Sequence, residues 1–296
     1  MAKSIRISFM LAVLPLLAFN GNKPATAELP KTFRDKFASI PAGVLVTAAG
    51  KMEVPGFLLS TTEVSNAEYM TFLEDLRASG RTELMESARP NTERWSEVGI
   101  SIEPYANHYH GHPAFANYPV VNVSHAGASA YCQWLQERLN KEAGSGARFV
   151  VRLPDQHEWR YAANGGISDA RYAWGGPFLR NSKGCALANF RPVGDENIHR
   201  DAATGKTEVL DGPDGSRGGV ANVADQAMIT APVDSYFPNR YGLYNMNGNV
   251  AEMLATGDLA AGGSWRSTGH DIRNESVMPS TAPSPEIGFR VLVEVH

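Results

Sequence analysis

Apolar residues recur at helical spacing in two stretches of this chain and gather into short runs elsewhere. Tyr69, Phe72, Leu73 and Leu76 fall on one face of a helix that should end near Gly80. Ser65-Asn-Ala-Glu68 before them reads as a capping box, a hydroxyl and a carboxylate that satisfy each other's backbone amides. Ala128, Tyr131, Cys132, Leu135 and Leu139 repeat the pattern after an N-cap at Ser124, and Gly144-Ser-Gly breaks that helix. Pro154-Asp155-Gln-His-Glu158 opens a third, short helix that stops at Asn164-Gly-Gly. Strand-like runs lie at Ala38–Val46 (with a turn inside), Phe57–Val64, Tyr118–Ser124 and Phe149–Leu153. Residues 80–111 read as a long polar loop, and Asp211–Gly219 as a turn-dense surface insertion. Two final strands, near Gly262–Arg266 and Ile287–Val293, are joined by a loop of about 20 residues, a length that usually marks function or mobility.

Composition adds an address. Hydrophobic residues make up 43% and charged residues 20%, enough for a globular core. Lys3 and Arg6, the apolar stretch Ile7–Phe19 and Ala25-Thr26-Ala27 read as a signal peptide cleaved after Ala27, with residues 28–36 a polar lead-in. An uncleaved anchor is the alternative, although the run is short for a span. Removing residues 1–27 takes away Lys3, Arg6 and Lys23, leaving 24 bases against 31 acids and a net charge of −7. An acidic exported protein is a poor partner for nucleic acid or an anionic membrane, and no internal span follows. Cys132 and Cys185 are too few for a disulfide scaffold; whether they pair stays open, and Cys132 also reads as a small core residue.

Two stretches carry candidate metal chemistry. Tyr241-Gly-Leu-Tyr-Asn245-Met-Asn-Gly248-Asn-Val250-Ala-Glu252-Met253 packs a turn, several oxygen donors and a carboxylate into a short span. Hard cations such as Ca²⁺ take such donors, while an ordinary Gly/Asn turn explains the same residues. His108, His110 and His112 would share one face if extended, and three imidazoles suit a transition metal; a surface or packing role is the alternative.

The ordered series Ile40-Pro-Ala-Gly, Thr62-Glu-Val-Ser-Asn-Ala-Glu-Tyr69, Tyr118-Pro-Val-Val-Asn-Val-Ser124, Arg152-Leu-Pro-Asp-Gln-His-Glu-Trp159, Tyr241-Gly-Leu-Tyr-Asn-Met, Gly248-Asn-Val, Gly262-Gly-Ser-Trp265 and Gly288-Phe-Arg-Val291 resembles the formylglycine-generating enzyme (sulfatase-modifying factor) family over roughly residues 37–294. The resemblance implies one α+β domain at 37–296, with little regular structure and a C-type-lectin-like fold. It also implies structural Ca²⁺ at two sites. One carries over to Asn245, Gly248, Val250 and Glu252, with Gly248 and Val250 acting through carbonyls. The other carries over to Asn189 and Asp225 by side chain and to Phe190 and Ala227 by carbonyl. Ala251 and Met253 stand where the family usually has aromatic residues.

Formylglycine generation uses two cysteines after Gly-Gly-Ser that bind copper as thiolates, a soft pairing. Here those positions fall on Ser267 and Ile272. The resemblance therefore argues against a formylglycine generator and places the chain closer, at class level, to exported relatives that mature a siderophore by oxidation, the pyoverdine-maturation type. Trp265, Arg266, Ser267 and His270 are the candidate catalytic residues left in the segment, His270 as an acid or base near neutral pH. A packing Trp265 among solvated loop residues is the alternative. The expected role is oxidative maturation, performed or assisted, of an unknown exported small molecule or protein in the periplasm or outside the cell, with an unknown redox cofactor. A non-catalytic binding module on the same scaffold is the competing class.

Overall fold

The computed structural model describes residues 29–98, 105–144, 148–193, 198–209, 227 and 229–296. The signal-peptide segment, the Asp211–Gly219 insertion and Asp225 lie outside the described residues. Four strands, β1 (Phe37–Ile40), β4 (Phe57–Ser60), β12 (Leu292–Val295) and β5 (Phe149–Arg152), form an antiparallel sheet in that order. The turn expected inside Ala38–Val46 is present, since β1 ends before Pro41 and β2 (Gly43–Thr47) pairs with β3 (Gly50–Val54) as a hairpin.

The long helices pack on this sheet. In α2 (Asn66–Ala78) the Ser65–Glu68 capping box is closed in both directions, and Tyr69, Phe72, Leu73 and Leu76 are buried as their spacing predicts. Helix α5 (His125–Ala143) is capped by Ser124 and buries Tyr131, Cys132, Leu135 and Leu139. Helix α6 (Gln156–Ala163) repeats the capping box with Asp155 and Glu158. The lead-in is not merely polar: it forms α1 (Lys31–Arg34), and Leu29 and Phe33 join the core under α2 and α5.

Four further expectations are corrected. Residues 80–111 hold α3 (Thr82–Ala88), a 3-10 turn at Thr92–Val98 and α4 (Tyr105–His108), because Met85, Trp95 and Tyr109 each need a buried seat. Tyr118–Ser124 is buried over Pro119–Val123 but is no ladder strand: it makes one bridge, Ser65 to Pro119, and Asn122 turns to φ 61. A left-handed residue breaks the alternation a strand requires. At the C-terminal end, a second sheet runs β10 (Val277–Pro279), β9 (Leu259–Ala261), β8 (Ala251–Met253), β11 (Ile287–Gly288), with β11 parallel to β8. Gly262-Gly-Ser-Trp265 lies just past β9, not in it. The expected structureless loop carries β10. A small hairpin, β6 (Ile198–Arg200) with β7 (Thr207–Val209), completes the described strands. No helix among the described residues is long and apolar enough to cross a membrane.

Candidate functional site

The Tyr241–Met253 stretch enters the molecule as a series of tight turns. Asn245, Gly248 and Asn249 all take positive φ, at 50, 76 and 60°. A Cβ on Gly248 would lie 2.2 Å from the carbonyl oxygen of Asn189, so glycine is needed for the two backbones to meet. The Asn249 amide then donates to the Asn189 carbonyl at 2.7 Å, which brings the two groups of expected calcium ligands side by side.

The ligand candidates differ in how much bonding capacity they keep. Asn189 is 1% exposed; its Nδ2 donates to the Ile229 carbonyl and to Asn249 Oδ1, while its Oδ1 is buried with no hydrogen-bond partner. An orphaned oxygen of this kind fits a cation ligand. Phe190 lies beside it, buried, and Ala227 is half-buried. At the neighbouring group, Asn245 Nδ2 donates to Glu63 and to the Pro232 and Val233 carbonyls, which leaves Oδ1 as its acceptor. Val250 is buried at the same turn.

Glu252 is committed elsewhere for the most part. Oε2 accepts from Arg290 Nε at 2.5 Å and Trp159 Nε1 at 2.6 Å, and Oε1 accepts from Arg290 Nη2 at 2.5 Å. A carboxylate offers about four lone-pair positions, so one remains, on Oε1. Among the described residues Asn189, Asn245 and Glu252 each keep an oxygen that calcium could take, Glu252 a single one. When bound, the ion would cross-link these loops. Arg290 itself is fully buried and also donates to the Ser60, Thr61 and Tyr244 carbonyls. Desolvation opposes its charge, but Glu252 outweighs it and the guanidinium pKa is raised. Glu63 completes the centre. Burial pushes its carboxyl up to about 8, against the pull of Arg290 and the Asn249 hydrogen bond.

The segment 264–272 does not bring its candidate catalytic residues together. Ser267 Oγ accepts from the Ser264 amide at 2.9 Å, and the Ser264 hydroxyl donates to Glu286 at 2.8 Å. His270 faces solvent with 72% of its side chain exposed and meets only Asp271, at 3.3 Å. Despite desolvation, the Thr268 and His270 contacts hold the Asp271 carboxyl below its usual range. Trp265 is a core residue, 1% exposed, packed with Trp95, Tyr109 and Val250, its Nε1 donating to the Pro285 carbonyl. Arg266 reaches the Glu97 carbonyl at 3.4 Å and Glu286 at 3.8 Å. Ile272 is fully buried beside Phe190. Trp265, Arg266, Ser267 and His270 therefore point in separate directions. Gly269 of the segment packs on Leu179, which lines an open groove of about 660 Å³ with Phe178, Arg180, Phe190 and Val193. Phe178 is 74% exposed in it.

The three histidines do not converge. His108 ends α4, the chain turns, and no group of three or more His, Cys, Asp or Glu able to hold a metal occurs among the described residues. His112 instead caps a turn through Ala114, and its ring stacks on His108 edge-on at 6.1 Å. His110 packs, half-buried, against Asn66. Asn66 Nδ2 already donates to the Tyr109 and Phe115 carbonyls, so its oxygen accepts, and His110 Nδ1 must carry the proton. Burial pushes its pKa down to about 4. The unfolded chain takes a proton near pH 6.5 that the folded chain refuses until about 4, so this contribution is complete above 6.5 and is lost as pH falls. Urea titrations at pH 7 and pH 4.5 should show the wild type losing about 2–3 kcal/mol more stability than His110→Gln. Equal losses would place the ring in solvent. The two cysteines are both free, Cys132 buried and Cys185 exposed.

The Sulfatase-modifying factor enzyme 1-like domain matches residues 25–295, and the chain belongs to that family. It is 28% identical to the formylglycine-generating enzyme of Mus musculus over 78% of this chain and 61% of that protein, and 30% identical to the enzyme of Thermomonospora curvata over 70% and 57%. An inactive C-alpha-formylglycine-generating enzyme 2 of Bos taurus is 31% identical over 58% of this chain and 49% of that protein. The matched region thus spans about three fifths of the length of the curated enzymes. In fold, the chain resembles PvdO from Pseudomonas aeruginosa, with a TM-score of 0.50 and 18% identity over 87% of this chain and 94% of that one.

Proposed function

We propose that this chain is an exported, calcium-stabilised member of the family that does not itself make formylglycine and that assists the oxidative maturation of an exported small molecule or protein by binding it. The carrying observation is the pair Ser267 and Ile272 at the positions of the copper thiolates. One is a hydroxyl tied to the Ser264 amide, the other a fully buried alkyl group. Neither supplies a soft ligand for Cu(I) or a sulfur to engage a substrate thiol. The outward His270 and the lack of any Ser267–His270 bond among the described residues favour binding over a replacement chemistry. The groove beside Gly269 offers aromatic and aliphatic surface with Arg180 in its lining, the make-up of a recognition surface. The test is metal analysis of the purified protein, followed by calorimetric binding and redox turnover with candidate exported substrates. Calcium, saturable binding and no turnover by the protein alone are expected. Multiple turnovers by the protein alone, dependent on a transition metal, would overturn the reading.

A further inference from the structure

One buried carboxylate reaches one group of candidate calcium ligands directly and the other through Asn249. Glu63 is 0% exposed. Its Oε2 accepts from Asn245 Nδ2 at 3.2 Å and its Oε1 from Asn249 Nδ2 at 2.8 Å. Asn249 passes the constraint on: its Oδ1 accepts from the Ala231 amide at 2.7 Å and from Asn189 Nδ2 at 3.3 Å. An asparagine side chain has one face that donates and one that accepts. Which face meets a cation depends on what holds the other.

We infer that Glu63 is a positioning residue for both calcium sites: it holds the amide of Asn245 directly, and that of Asn189 through Asn249, so that each keeps its Oδ1 free for an ion. The inference rests on the calcium reading proposed above and goes beyond the ligands themselves. Each oxygen must turn a lone pair to one amide, which a carboxyl does with or without its proton. In Glu63→Gln one oxygen becomes an NH₂. Asn249 is pinned by both backbone groups of Ala231, its Nδ2 donating to that carbonyl at 3.2 Å, so it retains the remaining oxygen. The new NH₂ then faces Asn245 Nδ2, donor against donor. Asn245, whose Nδ2 the Pro232 and Val233 carbonyls also hold, must move away and carry its Oδ1 from where the ion needs it.

The experiment uses the full-length chain as exported, stripped with EDTA and titrated with calcium by calorimetry, with melting followed in EDTA and in calcium. Wild type should bind two ions and melt higher in calcium. Glu63→Gln should bind calcium about 10- to 100-fold more weakly at one site, the range for loss of an outer partner of a metal ligand, with a smaller calcium-dependent rise in Tm. A purely structural role would lower Tm equally in EDTA and in calcium and leave the affinities unchanged, and that result overturns the inference while leaving the calcium reading intact. A wild-type protein that binds no calcium overturns both. If Glu63→Gln does not fold, Asn249→Ser takes its place; it cuts the link to Asn189 and must weaken one site, and unaltered binding in it rejects the inference.

Discussion

Replacing Arg290 with leucine should destabilise the protein by about 3–5 kcal/mol, the cost of leaving a buried carboxylate without its cation. Arg290 is 0% exposed, and all five of its N–H groups have acceptors: Glu252 twice, and the carbonyls of Ser60, Thr61 and Tyr244. Leucine fills part of the volume but answers none of these oxygens. The carbonyls belong to the end of β4 and to the turns before Asn245, so the loss also loosens the frame of the candidate calcium site. Urea denaturation at neutral pH measures it. A change below about 1 kcal/mol would mean that water reaches Glu252 and that the pair is not a closed internal one.

Gly248→Ala should cost about 3 kcal/mol or more. Its φ of 76° strains any residue with a Cβ, and that Cβ would meet the Asn189 carbonyl oxygen at 2.2 Å. Backbone on both sides prevents a flexible side chain from giving way. The two turns would have to separate, breaking the Asn249 amide to Asn189 carbonyl bond and moving both ligand groups. Thermal unfolding with and without calcium should show a lower Tm and a loss of any calcium response. A variant with unchanged Tm would mean that the two turns are free to slide apart at no cost.

What could be read in advance follows the range of the interactions. The capping boxes at Ser65–Glu68 and Asp155–Glu158 are local, three residues across, and both formed as written. The buried faces of α2 and α5 follow from periodicity for the same reason. The Tyr118–Ser124 run looked like a strand because apolar runs do not distinguish a ladder from a buried irregular path; what decides it is Asn122 bonding to Ser284, a contact invisible in the local pattern. Helix α3 hid because only Met85 and Ala88 of its seven residues are buried, too few to mark a face.

The candidate site divides the same way. Asn189, Asn245, Gly248 and Glu252 stand out once the motifs are taken in order. Glu63 does not, since it lies 182 residues from Asn245, and nothing in Thr62-Glu-Val-Ser shows that the carboxylate turns inward. A charged residue next to Val64, in a run that must enter the core, was the available signal. Arg290 sits in the Gly288-Phe-Arg-Val291 motif, but its pairing with Glu252 depends on how β8 and β11 align. Trp265 resolved in favour of packing and His270 in favour of solvent, both outcomes of where the Gly262-Gly turn aims the segment.

The missing thiolates carry the proposed function. Its most direct measurement is to incubate the purified protein with Cu(I), oxygen and a cysteine-containing sulfatase-type peptide and to follow the peptide by mass spectrometry, while a competing chelator reports bound copper. With Ser267 and Ile272 in those positions, the protein should hold no copper against the chelator and leave the cysteine unconverted. Stoichiometric Cu(I) binding with conversion of the cysteine to the aldehyde would contradict the account.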